Sequence, residues 1–395
     1  MTKPGKTRCY LSALGIVNAL GNDSAAVATA LFAGSTLGMA QEEGWMPEGL
    51  VRIGKVRDEL PSLIGSRDDS RNNRMLLAAT GQIEPELADA IARHGRARIG
   101  VVLGTSTSGI SEGEAALAMR AKSGELPGNY DYAQQEIGAP APFLARHLGL
   151  DGPAYTVSTA CTSSAKAFVS ARNLLDTGLC DAVIVGGVDT LCRLTLNGFG
   201  ALESTSPALC LPLSVNRRGI NIGEGAAVFL MTREPASIEF LGAGESSDAH
   251  HISAPHPEGL GAEAAMRAAL ADADLSSCDI DYLNLHATAT PKNDEMESRA
   301  VARVFPGGVP VSGTKPMTGH TLGAAGATEL AFCWLALQHD RLPPHVWDNQ
   351  PDPALPHLQT VPAGMVFRRT QRRACMSNSF AFGGSNASLI IGDAR

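Results

Sequence analysis

Two distant stretches of this chain follow one plan, and that repetition restricts the possible architecture more than any other feature. In the first, residues 154–178 (AYTVSTACTSSAKAFVSARNLLDTG) run from a short strand through a small-residue turn into a helix. Tyr155 and Val157 alternate as strand residues do, then Ala165, Phe168, Val169 and Leu175 recur near helical spacing, and Gly178 is a natural stop. In the second, residues 309–311 lead through SGTKPMTGH into the small-residue helix TLGAAGATELAFCWLAL. An apolar strand closed by a polar small-residue turn precedes each: 99–103 before GTSTSG, and 282–285 before HATAT. Each half also opens on a strand (9–17 and 238–241) and closes on one (AAVFLMT and ASLII). Alternating strands and helices predict an α/β protein with mostly parallel sheets and helices on their faces. The repeat predicts duplicated halves, residues 1–234 and 235–395. Further helices are expected over 24–32, from 73, over 85–94 and over 262–271, whereas 40–72 and 196–225 read as irregular.

In such sheets ligands bind beyond the carboxyl ends of the strands. Cys161, His286, Lys315, His320 and Phe380 all fall just after an expected strand, or in the loop it leads into, so one face gathers them. Cys161 stands where a helix begins, among unpaired N–H groups and at the positive end of a dipole. That position predicts a lowered thiol pKa and donors for an oxyanion. A small buried cysteine suits the same stretch, so it alone leaves both readings open. His286 equally suits a strand end that needs a hydrogen bond, and His320 a helix cap. At a helix start, however, the dipole favours a neutral imidazole that donates one hydrogen bond. Lys315 adds positive charge that keeps both histidines neutral. Asp294, Glu297 and Glu329 are the carboxylates available to balance it; Glu329, within GAAGATELAF, reads as paired in the interior, and Asp294 is open between surface and core. Two neutral histidines beside a thiol suit acyl transfer and enolate stabilisation without proton abstraction.

Composition removes several alternatives. A hydrophobic content of 44% with 18% charged residues describes an ordinary globular chain, and a net charge of −8 with no basic tail argues against nucleic-acid binding. None of the eight cysteines forms CxxC, so neither a zinc ribbon nor a dithiol site is signalled. The N-terminal stretch lacks an apolar leader, and no apolar run is long enough to span a bilayer, which predicts a cytoplasmic protein with reduced thiols.

The segments TACTSSAKAF, HATATPKNDEME, GTKPMTGHTLGAAGATE and SNSFAFGGSN resemble, in order and spacing, four motifs of elongating-type β-ketoacyl-acyl-carrier-protein synthases, members of the thiolase superfamily. The resemblance covers nearly the whole chain. It implies a thiolase-like fold, with duplicated halves layered α-β-α-β-α. It makes Cys161 the acylated nucleophile, with His286 and His320 holding the thioester carbonyl of malonyl-carrier protein and the enolate formed on decarboxylation. Lys315 would tune His320, with Glu329 as its partner. Thr288 and Thr290 would hold the phosphopantetheine arm, and Phe380 would gate the site and complete the oxyanion hole with its N–H. Phe382 would contact substrate, and Thr107 would stand in the acyl pocket. No metal or redox cofactor is implied; the substrates ride on acyl carrier protein. The implied assembly is a homodimer, or a heterodimer with a chain-length-factor-like homologue. Ala287 replaces a usual glycine, and this departure, with Thr107 and the run GESSDAHHISAPHPEG, is similar to ketosynthases of aryl polyene pathways.

Carrier proteins are acidic, so Arg71, Arg74, Arg217 and Arg218 are candidates for docking, with ordinary solvated arginines as the alternative. Rival functions have their own signatures. A chain-length-factor-like subunit lacks the nucleophile, and a non-elongating acyltransferase would keep it. A thiolase needs a second cysteine, for which Cys375 is the candidate, and a priming synthase uses Cys-His-Asn. A zinc hydrolase built on Cys161, His286 and His320 lacks the usual ligand spacing.

Overall fold

A computed structural model describes residues 7–394; residues 1–6, which begin the stretch read as lacking a leader, and residue 395 lie outside the description. Five strands of the first half, β1 (Tyr10–Asn18), β2 (Ile99–Gly104), β3 (Ala154–Val157), β4 (Ala182–Asp189) and β5 (Gly225–Thr232), are ordered β1-β5-β4-β2-β3. Five of the second, β6 (Ile238–Ser247), β7 (Tyr282–Asn284), β8 (Pro310–Ser312), β9 (Ala374–Phe380) and β10 (Ser385–Asp393), are ordered β6-β10-β9-β7-β8. Adding five to each label of the first order gives the second. The two sets touch at one pair, Tyr10 with Glu239, and Gln359–Thr360 extends the outer edge beside β8. In each half the three strands that lead to the site are mutually parallel: β3-β2-β4 and β8-β7-β9.

The helices that matter for the site are α1 (Arg71–Thr80), α2 (Pro140–Leu148), α3 (Ser163–Asp176), α4 (Arg193–Ala201), α5 (Leu260–Ala273), α6 (Pro291–Val304) and α7 (Ala325–His339). α3 and α7 pack on each other between the sheets, and their inward residues Phe168 and Phe332 join Phe229 in one buried cluster. α1 and α2 cover the outer face of the first sheet through Leu76 and Leu144; α5 and α6 cover the second through Met266 and Val301. Along β2, Val102 faces the inner cluster while Val101 and Leu103 face the outer one, so the strand is apolar on both sides. The result is the α-β-α-β-α layering. The small residues of α7 have a steric cause: a Cβ on Gly326 would lie 2.7 Å from the backbone nitrogen of Ala165 on α3. Close approach of the central helices carries both of their starts to the carboxyl ends of the strands.

Two segments depart from the irregular structure expected of them. Residues 40–72 contain a hairpin, Met39–Glu42 with Val51–Gly54, which continues into Ile222–Gly223 and packs through Ile53, Ile222 and Leu196. Residues 196–225 open inside α4. Five α-helices among the described residues were not anticipated: Ile110–Ser123, α2, α4, α6 and the single turn Lys315–Thr318; Pro291 begins α6 at its first position.

Candidate active site

After β3 the chain turns through Ala160, at φ +52°, and presents Cys161 just ahead of α3. The Ser163 hydroxyl fixes the turn, accepting from the Thr159 N–H at 2.9 Å and donating to the Ala160 carbonyl at 2.5 Å. A cavity of about 320 Å³ opens over the thiol, lined by Cys161, His286, His320, Thr288, Thr290 and Phe382 among others. The sequence thus foresaw the convergence: residues delivered by β3, β7, β8 and β9 meet at one place.

The Cys161 Sγ lies 3.1 Å from the His320 Nε2, and the two histidine rings are 5.2 Å apart and nearly perpendicular. Beneath them is a buried ion pair, Lys315 with Glu329 at 2.5 Å, the side chains 2% and 3% exposed. The Lys315 ammonium also donates to the His286 carbonyl and stands 3.5 Å from His286 Nδ1. Burial, then the Lys315 charge, holds both imidazoles well below the ordinary histidine range, so both are neutral. Their tautomers follow from their neighbours. The Leu322 N–H donates to His320 Nδ1 at 3.3 Å, and Lys315 faces His286 Nδ1. Each Nδ1 is therefore an acceptor, and each proton sits on Nε2.

That assignment bears on metal binding. The ligand atoms of Cys161, His286 and His320 lie within 4.8 Å of one another, a compact set. A metal-bound imidazole, however, gives one nitrogen lone pair to the metal and donates the other N–H to an acceptor. Here both outer nitrogens already face donors, so the trio does not fit a metal.

The thiol overturns one expectation. Burial pushes Cys161 up to about 11, against the opposing pull of Lys315 and of the Phe382 backbone N–H. Loss of water outweighs the helix start, and the resting group is a neutral thiol. The same contact revises a second assignment: the backbone N–H that reaches Cys161 belongs to Phe382, not Phe380. Phe380 packs its ring edge-on against His286, while the Phe382 ring meets Phe199 at the cavity wall, 5.4 Å between centroids.

Other candidates divide clearly. Thr288 and Thr290 line the cavity, their hydroxyls 2.9 Å apart. Thr107 is not among the lining residues; its hydroxyl is bound to Asp189 at 2.8 Å, so it is a support and not a wall of this cavity. Three of the four arginines are committed internally: Arg71 to Glu224, Arg74 to Asp69 and Arg217 to Asp352. Arg218 alone of the four lines the cavity, exposed at its mouth. Cys375 lies buried on β9 and lines no part of the cavity, which removes the second thiol a thiolase requires.

Two carboxylates proved more important than the sequence suggested. Glu297 accepts from the N–H groups of His286 and Ala287, both at 2.7 Å, and burial pushes it up to about 7. Asp294, fully buried, accepts from Leu213 and Ala289. The two stand three apart on the inner side of α6, the spacing that places side chains on one helix face, and this was the available signal. Lys292, exposed and lining the same cavity as Arg218, carried no such signal.

Two halves of one topology that bring Cys161, His286 and His320 together at a cavity define a thiolase-like fold, and the class it belongs to here is that of the acyltransferases. Residues 70–236 match the family described as beta-ketoacyl synthase, N-terminal domain, and residues 238–347 its C-terminal domain. The chain belongs to the β-ketoacyl synthase family. It is similar to the ketosynthase ApeO of Xenorhabdus doucetiae, solved in complex with its chain length factor ApeC: 48% identity over the whole of both chains, with a TM-score of 0.94. It is 31% identical to the chloroplastic 3-oxoacyl-[acyl-carrier-protein] synthase II of Arabidopsis thaliana, over 97% of this chain and 75% of that one. Nodulation protein E of Rhizobium meliloti is 36% identical over 74% of this chain and 75% of its own. The chain is accordingly an acyltransferase that catalyses ketosynthase condensation with carrier-bound substrates in fatty-acid or polyketide biosynthesis.

Proposed function

We propose that Cys161 carries the growing acyl chain and that His286 and His320 act as hydrogen-bond donors to the incoming malonyl thioester. The contact of the Cys161 Sγ with the Nε2 of a neutral His320 carries this reading. In the first half-reaction the Cys161 sulfur attacks the acyl thioester, the S–C bond to the carrier arm breaks, and the arm leaves as a thiol with the Cys161 proton. The oxyanion of that step faces the N–H of Phe382 and the start of α3. In the second, malonyl-carrier protein loses carbon dioxide. The enolate oxygen takes the two Nε2–H donors, and its carbon attacks the Cys161 thioester. A carbon–carbon bond forms, the S–C bond breaks with its electron pair left on the Cys161 sulfur, β-ketoacyl-carrier protein leaves, and the thiolate takes a proton from water to restore the resting thiol. Covalent capture divides one difficult condensation into two easier steps. Lys315 keeps both donors neutral, and Glu329 keeps Lys315 tolerable in the interior.

Thr288 and Thr290 line the route of the phosphopantetheine arm, and Arg218 with Lys292 gives the mouth positive charge for an acidic carrier protein. Among the described residues no ion pair occupies either cation. The likeness to a ketosynthase solved with its chain length factor supports a heterodimer with a homologous subunit. Ala287 and the run GESSDAHHISAPHPEG support an aryl polyene type substrate, and the free cysteines suit a compartment that keeps thiols reduced. No helix among the described residues is long and apolar enough to cross a membrane.

Intact mass after incubation with acyl-carrier proteins of several lengths and unsaturations tests the reading, beside Cys161→Ala and with or without the homologous subunit. One acyl mass on the wild type and none on the variant is expected. Equal acylation of both would overturn it.

A further inference from the structure

The mechanism above leaves unused a carboxylate that touches both halves of the site. Asp189 ends β4, is fully buried, and forms no ion pair among the described residues. Its Oδ1 accepts from the Thr105 hydroxyl at 2.6 Å, from the N–H groups of Ser106 and Thr107 at 2.8 and 2.7 Å, and from the Thr107 hydroxyl at 2.8 Å. Its Oδ2 accepts from the N–H of Ala324 at 3.2 Å, across the boundary between the halves. A buried carboxylate is costly unless its lone pairs are filled, and here donors fill them from two directions.

Each set of donors leads to a reacting group. The Ser106 hydroxyl, held by that loop, donates at 3.3 Å to the carbonyl of Ala160, the residue before Cys161. Ala324 closes the short turn Leu322–Ala324, and the N–H of Leu322 in that turn fixes the Nδ1 of His320. Turn and loop lie in contact, because a Cβ on Gly323 would sit 2.7 Å from the Ser106 nitrogen. We infer that Asp189 is a positioning residue that sets the separation of Cys161 from His320 by clamping the loop after β2 to the turn before α7. It touches neither substrate nor reacting atom and acts through Ser106 on one side and Ala324 on the other. The inference rests on the roles given above to Cys161 and His320.

The test is a double-mutant cycle read on the two half-reactions separately, acylation by intact mass and condensation by product formation. Asp189→Asn should lower the kcat of condensation by about 10- to 100-fold while the KM for malonyl-carrier protein changes less than about threefold. In a His320→Ala background the same substitution should cost less than about twofold, because the contact it sets is already gone. Equal losses in both backgrounds, or a KM that rises in step with the loss of kcat, overturn the inference. Ser106→Ala keeps the carboxylate and its backbone donors and serves where Asp189→Asn does not fold. It should slow Cys161 acylation by about 3- to 10-fold with an unchanged melting temperature; an unchanged rate overturns the link to the nucleophile. Acylation of Cys161→Ala would instead mark failure of the underlying reading.

Discussion

The passage from β3 into α3 and the passage from β8 into α7 hold the same place in the two halves but do opposite work. The first is short, residues 158–162, and delivers a neutral thiol at a helix that stays partly solvated. The second, residues 313–324, delivers a cation and an imidazole ahead of a helix buried almost all round. A nucleophile needs only a turn that lifts it into the cavity. A cation that must keep two histidines neutral needs a counter-charge in the same dry interior, and α7, through Glu329, supplies its ion-pair partner. The common topology fixes where the two passages end; burial decides what chemistry each supports.

The largest effect should come from breaking the second passage at its charge. Lys315→Met strands Glu329 in the core, and removal of one member of a buried pair costs about 3–5 kcal/mol. Lys315→Met with Glu329→Leu should recover most of that stability in denaturant melts. It should recover activity only at higher pH, because Lys315 is the second cause, after burial, that lowers both histidines. In the wild type their depressed values mean that the folded state binds fewer protons, so this contribution to stability is present above about pH 6.5 and is lost as pH falls. In the double variant the histidine values rise while burial still holds them below the ordinary range, which carries the acid limb of condensation to higher pH. An acid limb that stays in place would show that burial alone keeps the imidazoles neutral.

Next in size is the separation of the nucleophile's turn from the enolate donors in the reaction itself. His286→Ala removes an enolate donor and leaves the thiol's own turn intact, so condensation should fall by about 100- to 1000-fold. Acylation of Cys161 should stay within about threefold. Equal losses in both half-reactions, followed by intact mass and by product, would assign His286 to the nucleophile and dissolve the distinction.

Much of this was legible in the sequence because it is local. Strand, turn and helix around Cys161 announce themselves by spacing, and the second copy repeats their order. Lys315 and His320 share one short motif, and Glu329 stands out as a charge inside a small-residue helix. What was not legible depends on folding. The direction of the thiol's pKa shift follows from burial that the fold imposes through residues far away in sequence. Arg71 and Arg217 look like surface cations until the fold shows their partners, Glu224 and Asp352, more than a hundred residues away. The Phe380–Phe382 choice turned on which backbone N–H faces the sulfur, and two phenylalanines a residue apart give no sign of that.

The cavity mouth sharpens the comparison from outside, since Arg218 comes from the first half and Lys292 from the second. Arg218→Asp should raise the KM for carrier-bound substrate by about 5- to 20-fold and leave kcat alone, with Lys292→Asp adding to it and salt reducing both effects. A fall in kcat at constant KM would remove these cations from docking.

The smallest effect concerns Ala287, which follows His286 with φ at +40° and is fully buried. An L-residue in that region carries about 1–2 kcal/mol of strain that glycine escapes. Glu297 holds the strained conformation by accepting the Ala287 N–H, so the geometry is fixed independently of the side chain. Against relief of strain stands the lost methyl, which packs where Gly313 leaves room: a Cβ there would lie only 2.6 Å from that of Ala287. Deleting one buried methyl costs about 1 kcal/mol. Ala287→Gly should therefore change stability by less than about 1 kcal/mol in either direction, as a melt would show. Its informative readout is kinetic. If the methyl sets the distance between the β7 turn and the β8 turn, its loss should loosen His286 relative to Lys315. Condensation should then slow by about two- to fivefold with acylation unchanged. An identical rate would mean that Glu297 alone places His286, and that the turn after β7 takes its precision from this carboxylate and not from its packing.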